Sequence, residues 1–353
     1  WLKICANLRI MRKKNTYFMF PAVIAAAILC LCASCSKSDE EEFESKPYIP
    51  GTLTFNMPDY VDTMSVHTLE ASGLSKPLDA EIKYYWTASS SKLIKDTVWS
   101  RTMTLTIPDT LGLFVITAHA VAEGYYNSAY SHEVNILRGS ESFTDFVQPE
   151  TYIIDSRDNK KYAYTQIGNL LWFARNLDWE GAGHPYADSP SMGKVTGRFY
   201  TWEDATGGQS SSGLGKGPQG VCPQGWSVPT NEDWEDFSEA LYGERQRFHT
   251  NWIGGADKLQ INASLNGNAF WPYDPACNPE NKFGWAALAA GYAQDRYVHF
   301  RGMRGNAMWW SSTLDDSQDA VFRHMEIRKT DFYFGTCATN TLAFSVRCVK
   351  LKE

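Results

Sequence analysis

The stretch Cys222-Pro223-Gln224-Gly225-Trp226-Ser227-Val228-Pro229-Thr230-Asn231-Glu232-Asp233-Trp234-Glu235-Asp236-Phe237 decides the fold of its half of the chain. Pro223, Gly225 and Pro229 force a turn and then an extended segment. A helix must start directly afterwards. Thr230 is a good N-cap, and Glu232 and Asp233 place negative charge in the first turn. Trp234, Phe237 and Leu241 then recur on one helical face. A rigid, aromatic strand-to-helix corner is therefore expected here.

Outward from that corner, the composition is aromatic and loop-rich. The 353 residues include 13 Trp and 26 Gly, and 43% are hydrophobic, enough for real cores. That length suits two globular domains and a leader. Few long apolar runs and many aromatics favour β-rich domains. A formal net charge of -7 argues against a nucleic-acid partner, which needs a basic face.

The leader reads as an export signal. Met11 is the expected start, followed by basic Arg12, Lys13 and Lys14 and an apolar stretch over residues 18–31. That stretch is too short for a comfortable membrane span. Leu31-Cys32-Ala33-Ser34-Cys35 resembles a bacterial lipobox, which implies cleavage before Cys35 and lipidation of its thiol. Residues 1–35 are thus read as signal peptide and lipobox, and residues 36–46 as an acidic tether carrying Asp39, Glu40, Glu41 and Glu42. An acidic run behind a lipobox resembles the export signal of outer-membrane lipoproteins exposed at the cell surface. The expected location is therefore the outer membrane, lipid-anchored.

Residues 47–139 read as short strands between turns. The candidates are residues 52–56, 65–69, 82–88, 102–107, 113–122 and 133–137. Met103, Leu105 and Ile107 alternate with Thr102, Thr104 and Thr106, the period of a half-buried strand. Trp86 stands where an immunoglobulin-like sandwich places its core tryptophan. An all-β, Ig-like sandwich without a disulfide is expected, acting as a stalk. His67, His119 and His132 have no ligand spacing.

From Thr151 the composition shifts to Trp, Gly and Asn. Strands are expected around residues 153–162, 167–177, 283–292, 309–313 and 344–349, with a short helix opening within residues 197–205. Five motifs follow in order: Asp155-x-Arg157-Asp158, Trp172-x-Ala174-x-Asn176-Leu177, Cys222-Pro-x-Gly-Trp226-x-x-Pro229, Trp310-Ser-Ser-Thr313 and Ser345-Val-Arg-Cys348. In this series residues 151–353 resemble the Fibrobacter succinogenes major paralogous domain family. The resemblance implies an α+β, C-type-lectin-like fold. Four cysteines follow the leader, and outside the cytoplasm they can pair. Cys222 and Cys348 both lie in the family motifs. Their pairing would close a loop of about 125 residues, worth roughly 4 kcal/mol in the chain-entropy treatment. Pairing of Cys277 with Cys337 stays open.

Little catalytic chemistry is legible, and no catalytic residue, metal or cofactor is expected. Gly215-Lys-Gly217-Pro-Gln-Gly220 spells G-x-G-x-x-G, but a Ser/Gly loop precedes it and Pro223 follows, so it reads as a loop. No zinc, nucleophile-elbow or P-loop motif occurs, and His184, His249, His299 and His324 lack ligand spacing. Asn278-Pro279-Glu280-Asn281 only faintly resembles a lectin calcium motif. Formylglycine-generating enzymes share a related fold and a similar corner, but their redox cysteines are more closely spaced than Cys337 and Cys348. An enzyme is therefore the third reading.

Binding is the leading expectation. Tyr297, His299, Phe300, Arg301, Arg323, His324, Asp331 and Tyr333 mix aromatic, basic and acidic groups between the motifs, a mixture suited to contact surfaces. They are expected to line an exposed face, loops on a rigid frame. Every residue from 331 to 342 can be encoded by a codon ending in cytosine, the mark that adenine mutagenesis by a diversity-generating retroelement would leave. The leading reading is a surface lipoprotein presenting a lectin-like domain to a glycan or protein ligand. A structural or adhesin-tip part of a surface assembly is the alternative.

Overall fold

The computed structural model describes residues 45–144, 150–242, 247–248 and 251–353. The leader, Cys35, most of the acidic tether and His249 lie outside the described residues. Pro47–Glu353 forms one compact, mostly β unit.

All six strands expected in the first half are present, with three short ones added. The main sheet orders Tyr60–Asp62, Ser128–Leu137, Gly112–Val121, Lys83–Ala88 and Val98–Trp99 side by side. Its first pair is parallel and the others antiparallel. Val66–Glu70 pairs with Thr102–Thr106, and Gly51–Thr54 with Ser72–Leu74. As the alternation requires, Met103, Leu105 and Ile107 are buried while Thr102, Thr104 and Thr106 are exposed. Trp86 is fully buried, edge-on to Phe55 at 5.1 Å, and its indole N–H donates to the Ser100 carbonyl at 2.9 Å. That bond satisfies the one polar atom of a large apolar side chain.

The second half is built from three larger sheets. Tyr152–Ile154, Lys161–Ile167, Leu170–Phe173 and Val349–Leu351 form one. His184–Pro185, Arg198–Thr201, Leu342–Phe344, Tyr292–Gln294 and His299–Arg301 form the second. Asn306–Leu314, Ala320–Glu326 and Tyr333–Cys337 form the third. The halves meet directly. Leu137 belongs to the apolar cluster of the second half, Asn266 Nδ2 donates to the Ile136 carbonyl at 2.9 Å, and Tyr60 donates to the Met303 sulfur at 3.2 Å.

Two expected strands come out differently. Residues 283–291 are loop with isolated bridges, buried from Trp285 onward, and the strand begins only at Tyr292. The closing segment splits into Leu342–Phe344 and Val349–Leu351. Between them the backbone serves several neighbours in turn: Ser345 bonds Met308 and Trp310, Val346 accepts from Leu177, and Cys348 from Phe173. No single ladder can run through such a segment.

The corner forms as its residues require. Asn231–Tyr242 is helical, with the Thr230 hydroxyl accepting from Asp233 N–H at 3.1 Å and the Asp233 carboxylate accepting from Thr230 N–H at 2.8 Å. This is a reciprocal N-cap. Asp233 also accepts from Gly215 N–H at 2.6 Å, which ties the glycine loop to the helix. Burial pushes its carboxyl up to about 6. Trp234, Phe237 and Leu241 face inward. Cys222 and Cys348 are disulfide-bonded, with Cα atoms 5.8 Å apart. Cys277 and Cys337 are both free thiols.

Around the corner lies an aromatic knot. Trp172, Trp234, Trp285 and Trp309 share one cluster, and Arg347 is threaded through it, fully buried, 4.4 Å from the centre of the Trp285 ring. Its guanidinium donates to the Phe173, Trp285 and Ala286 carbonyls and to Asn176 Oδ1. Asn176 also accepts from the Trp309 indole at 2.9 Å. The Asn176 and Arg347 of the sequence motifs thus fasten distant loops to one another.

Candidate functional site

The hairpin of Tyr292–Gln294 with His299–Arg301 stands at the edge of its sheet, in the register Tyr292↔Arg301, Ala293↔Phe300, Gln294↔His299. Side chains alternate across such a ribbon. Phe300 turns inward against Tyr186 at 5.5 Å and Phe199 at 6.3 Å, beside buried Ala293. His299 and Arg301 turn outward and are exposed, with Arg301 Nε donating to Gln294 Oε1 at 2.8 Å.

The connecting turn is unusual. Asp295, Arg296 and Tyr297, none of them glycine, have φ of 52°, 53° and 72°. Left-handed backbone costs a non-glycine residue on the order of 1–3 kcal/mol. The turn persists because Tyr297 is held firmly. Its hydroxyl donates to Asp204 Oδ2 at 2.6 Å and accepts from Thr201 N–H at 2.8 Å. Its ring stacks on His184 at 4.3 Å. Burial, with Asp204 alongside, pushes the hydroxyl well above its ordinary range, so it stays a donor. Across from it, Ala187 and Asp188 are left-handed too, at 53° and 54°, and Asp188 lies 2.7 Å from His184 Nδ1. The outcome is a pre-shaped corner exposing Arg296, Val298, His299 and Arg301, with His184 and Asp188 beside them.

The other four expected contact residues are elsewhere, three on the third sheet and Asp331 in the loop before its last strand, and one of them is core. Arg323 has no exposed surface. It lies 4.3 Å from the Trp252 ring centre and 4.9 Å from that of Phe334, and donates to Asn231 Oδ1 at 2.7 Å and Glu235 Oε1 at 3.1 Å. It locks this sheet to the start of the corner helix. The expectation that it lines an exposed face is corrected. The signal was available, since Arg323 shares a strand face with buried Val321 and Met325.

His324 is mostly buried and stacks on Tyr333 at 5.1 Å. Burial, then the nearby Arg323 charge, pushes its imidazole down to about 4. Glu326 at 3.6 Å would favour the charged ring, but the desolvation outweighs it. Asp331 is half-buried and accepts from Gly254 N–H at 2.9 Å, anchoring a neighbouring loop. Phe332, inside the run 331–342, is wholly buried.

So Tyr297, His299, Phe300 and Arg301 are brought together, with Phe300 and Tyr297 packed as supports and His299 and Arg301 left exposed. His184, Asp188, Asp204, Arg296 and Val298 belong to this corner but were not singled out in sequence. Among the described residues no group of His, Cys, Asp or Glu is arranged to hold a metal ion, and no helix is long and apolar enough to cross a membrane.

Comparison with known proteins adds a family. No curated protein matches the chain. The family described as the Fibrobacter succinogenes major domain matches residues 165–350, a span that holds the corner, the disulfide, the Arg347 knot and the hairpin. The chain belongs to the Fibrobacter succinogenes major domain family.

Proposed function

We propose that this protein is a lipid-anchored lipoprotein of the outer cell surface that acts by binding rather than by catalysis. In this reading the first half is an Ig-like support. The second half is a C-type-lectin-like domain whose ligand sits on the exposed hairpin corner. The observation that carries the reading is the turn of residues 295–298. Three consecutive non-glycine residues are held in strained backbone by a tyrosine bonded to Asp204 and Thr201, while Val298, His299 and Arg301 are left outside. Strain of this kind collects where a surface is pre-organised for a ligand. Val298 is 67% exposed and offers apolar area, and Arg301 and Arg296 offer directed donors.

The test uses the full chain with Arg296, Val298 and Arg301 changed to alanine. Binding to a glycan array and capture from surface-labelled cells should both be measured. Loss of the wild-type signal with an unchanged melting curve supports the reading, and the assay that loses it names the ligand class. Retained binding in both assays removes the hairpin from the function. The anchor has its own test. Cys35→Ala should lose fatty-acid labelling and leave the membrane fraction, and an unchanged fractionation would contradict the anchor.

A further inference from the structure

A groove of about 660 Å³ opens in the first half, far along the sequence from the hairpin. It opens at the edge of the main sheet, where Val98–Trp99 is the outermost strand. Its floor is apolar: Leu74, Ile82 and Tyr84 line it while packing on the core. Its wall is Trp99, an indole 61% exposed. Its rim carries Lys76, Lys83 and Arg101 against one acid, Glu81, in a chain whose net charge is -7.

The Trp99 indole leaves a large apolar surface in water beside an apolar floor, area that a ligand could bury. Trp99 is also held in place. It leans on Tyr85 with ring centres 4.7 Å apart, and Tyr85 stacks on His119 at 4.3 Å and 3° between planes. His119 in turn lies 2.9 Å from the Thr87 hydroxyl. A row of three rings, the indole tilted on Tyr85 and Tyr85 stacked on His119, fixes the indole without covering it. A fixed aromatic face beside an apolar floor suits the flat, C–H-rich face of a sugar ring, because little side-chain freedom is lost on binding.

The charges add a second requirement. Lys76 is paired with Glu81 at 3.3 Å, and Arg101 with Glu70 at 3.3 Å. Lys83 has no ion-pair partner among the described residues, and it points to the same sheet face as Tyr85. A strand-adding peptide is poorly served here, since the edge is only two residues long. A neutral sugar would leave the lysine unused.

We propose that this groove binds an acidic sugar unit of a polysaccharide, stacked on Trp99 with its carboxylate or sulfate held by Lys83. This makes the first half a second binding module, independent of the hairpin site.

The experiment measures binding of the full chain to immobilised polygalacturonate, heparin and a sialylated glycan. Methyl-esterified polygalacturonate and polyglutamate serve as controls. At least one acidic glycan should bind, more weakly as salt is raised. Trp99→Ala should weaken it tenfold or more, while Trp99→Phe keeps part of the affinity. Lys83→Gln should weaken it severalfold and flatten the salt dependence. Melting curves of the three variants should overlay the wild type, since both side chains are exposed. Equal binding of polyglutamate would reduce the groove to a plain cationic patch and overturn the proposal. So would wild-type affinity in Trp99→Ala, or no binding to any of the three acidic glycans.

Discussion

The knot around Arg347 and the hairpin turn around Tyr297 are built on opposite terms. In the knot the side chains are buried and the strong donor is saturated: one guanidinium reaches three carbonyls and Asn176. In the turn three successive residues hold unfavourable backbone, and the side chains between and after them face solvent. Yet Tyr297, which holds the turn, is itself held by two hydrogen bonds and a ring stack. The contrast teaches that an exposed corner can owe its shape to a few polar contacts at the edge of the core, here those of Tyr297 with Asp204 and Thr201.

The sharpest way to break the comparison is at the knot. Arg347→Met keeps the apolar stem but leaves the Trp285, Ala286 and Phe173 carbonyls without their donor. Each orphaned buried acceptor costs about 1–3 kcal/mol, so the variant should lose at least 3–5 kcal/mol in a denaturant titration. A loss under 1 kcal/mol would mean water or relaxation replaces the guanidinium easily.

Next in size is the staple. Reducing the Cys222–Cys348 bond, or replacing both cysteines with serine, should cost roughly 4 kcal/mol, because it releases a loop spanning most of the second half. Peptide mapping without reductant should recover the two joined, with Cys277 and Cys337 as thiols.

A middle-sized effect depends on pH. The folded imidazole of His324 is held neutral down to about 4, while the unfolded one takes up its proton near 6.5. Stability from this group is therefore complete above pH 6.5 and is lost as pH falls from 6.5 towards 4. Replacing it by His324→Gln removes that dependence. The stability difference between variant and wild type should shift by on the order of 2–3 kcal/mol between pH 7.5 and pH 4, in the variant's favour at acid pH. A constant difference would place the ring in contact with solvent.

Much of this architecture could be read from residue order. Proline, glycine and a threonine cap announced the corner, and short apolar runs between turns, with alternation in residues 102–107, announced the strands of the first half. The family motifs supplied the cysteine pair. The hairpin was read only in part. Tyr297, His299, Phe300 and Arg301 are contiguous, so one segment revealed them, but Phe300 proved to be packed inward. His184 and Asp204 are brought to Tyr297 by strands that meet only in the fold, and nothing local marks them. Arg323 was misread because a basic residue between aromatics looks like surface, although its strand neighbours at two-residue spacing are apolar. Residues 283–291 were misread because a run of buried small residues gives the same pattern whether it pairs in a ladder or packs as loop.

The smallest expected effect carries the central claim. The double variant Val298→Ala/Arg301→Ala should be compared with Trp310→Ala, each for stability and for binding. Trp310 is fully buried, donates to the Tyr200 carbonyl at 2.6 Å and packs on Phe344 at 4.3 Å, so its loss should cost about 3–5 kcal/mol. The double variant should stay within about 0.5 kcal/mol per site of the wild type and still lose the ligand. If it melts as early as Trp310→Ala, or melts normally and keeps full binding, the hairpin is not the site.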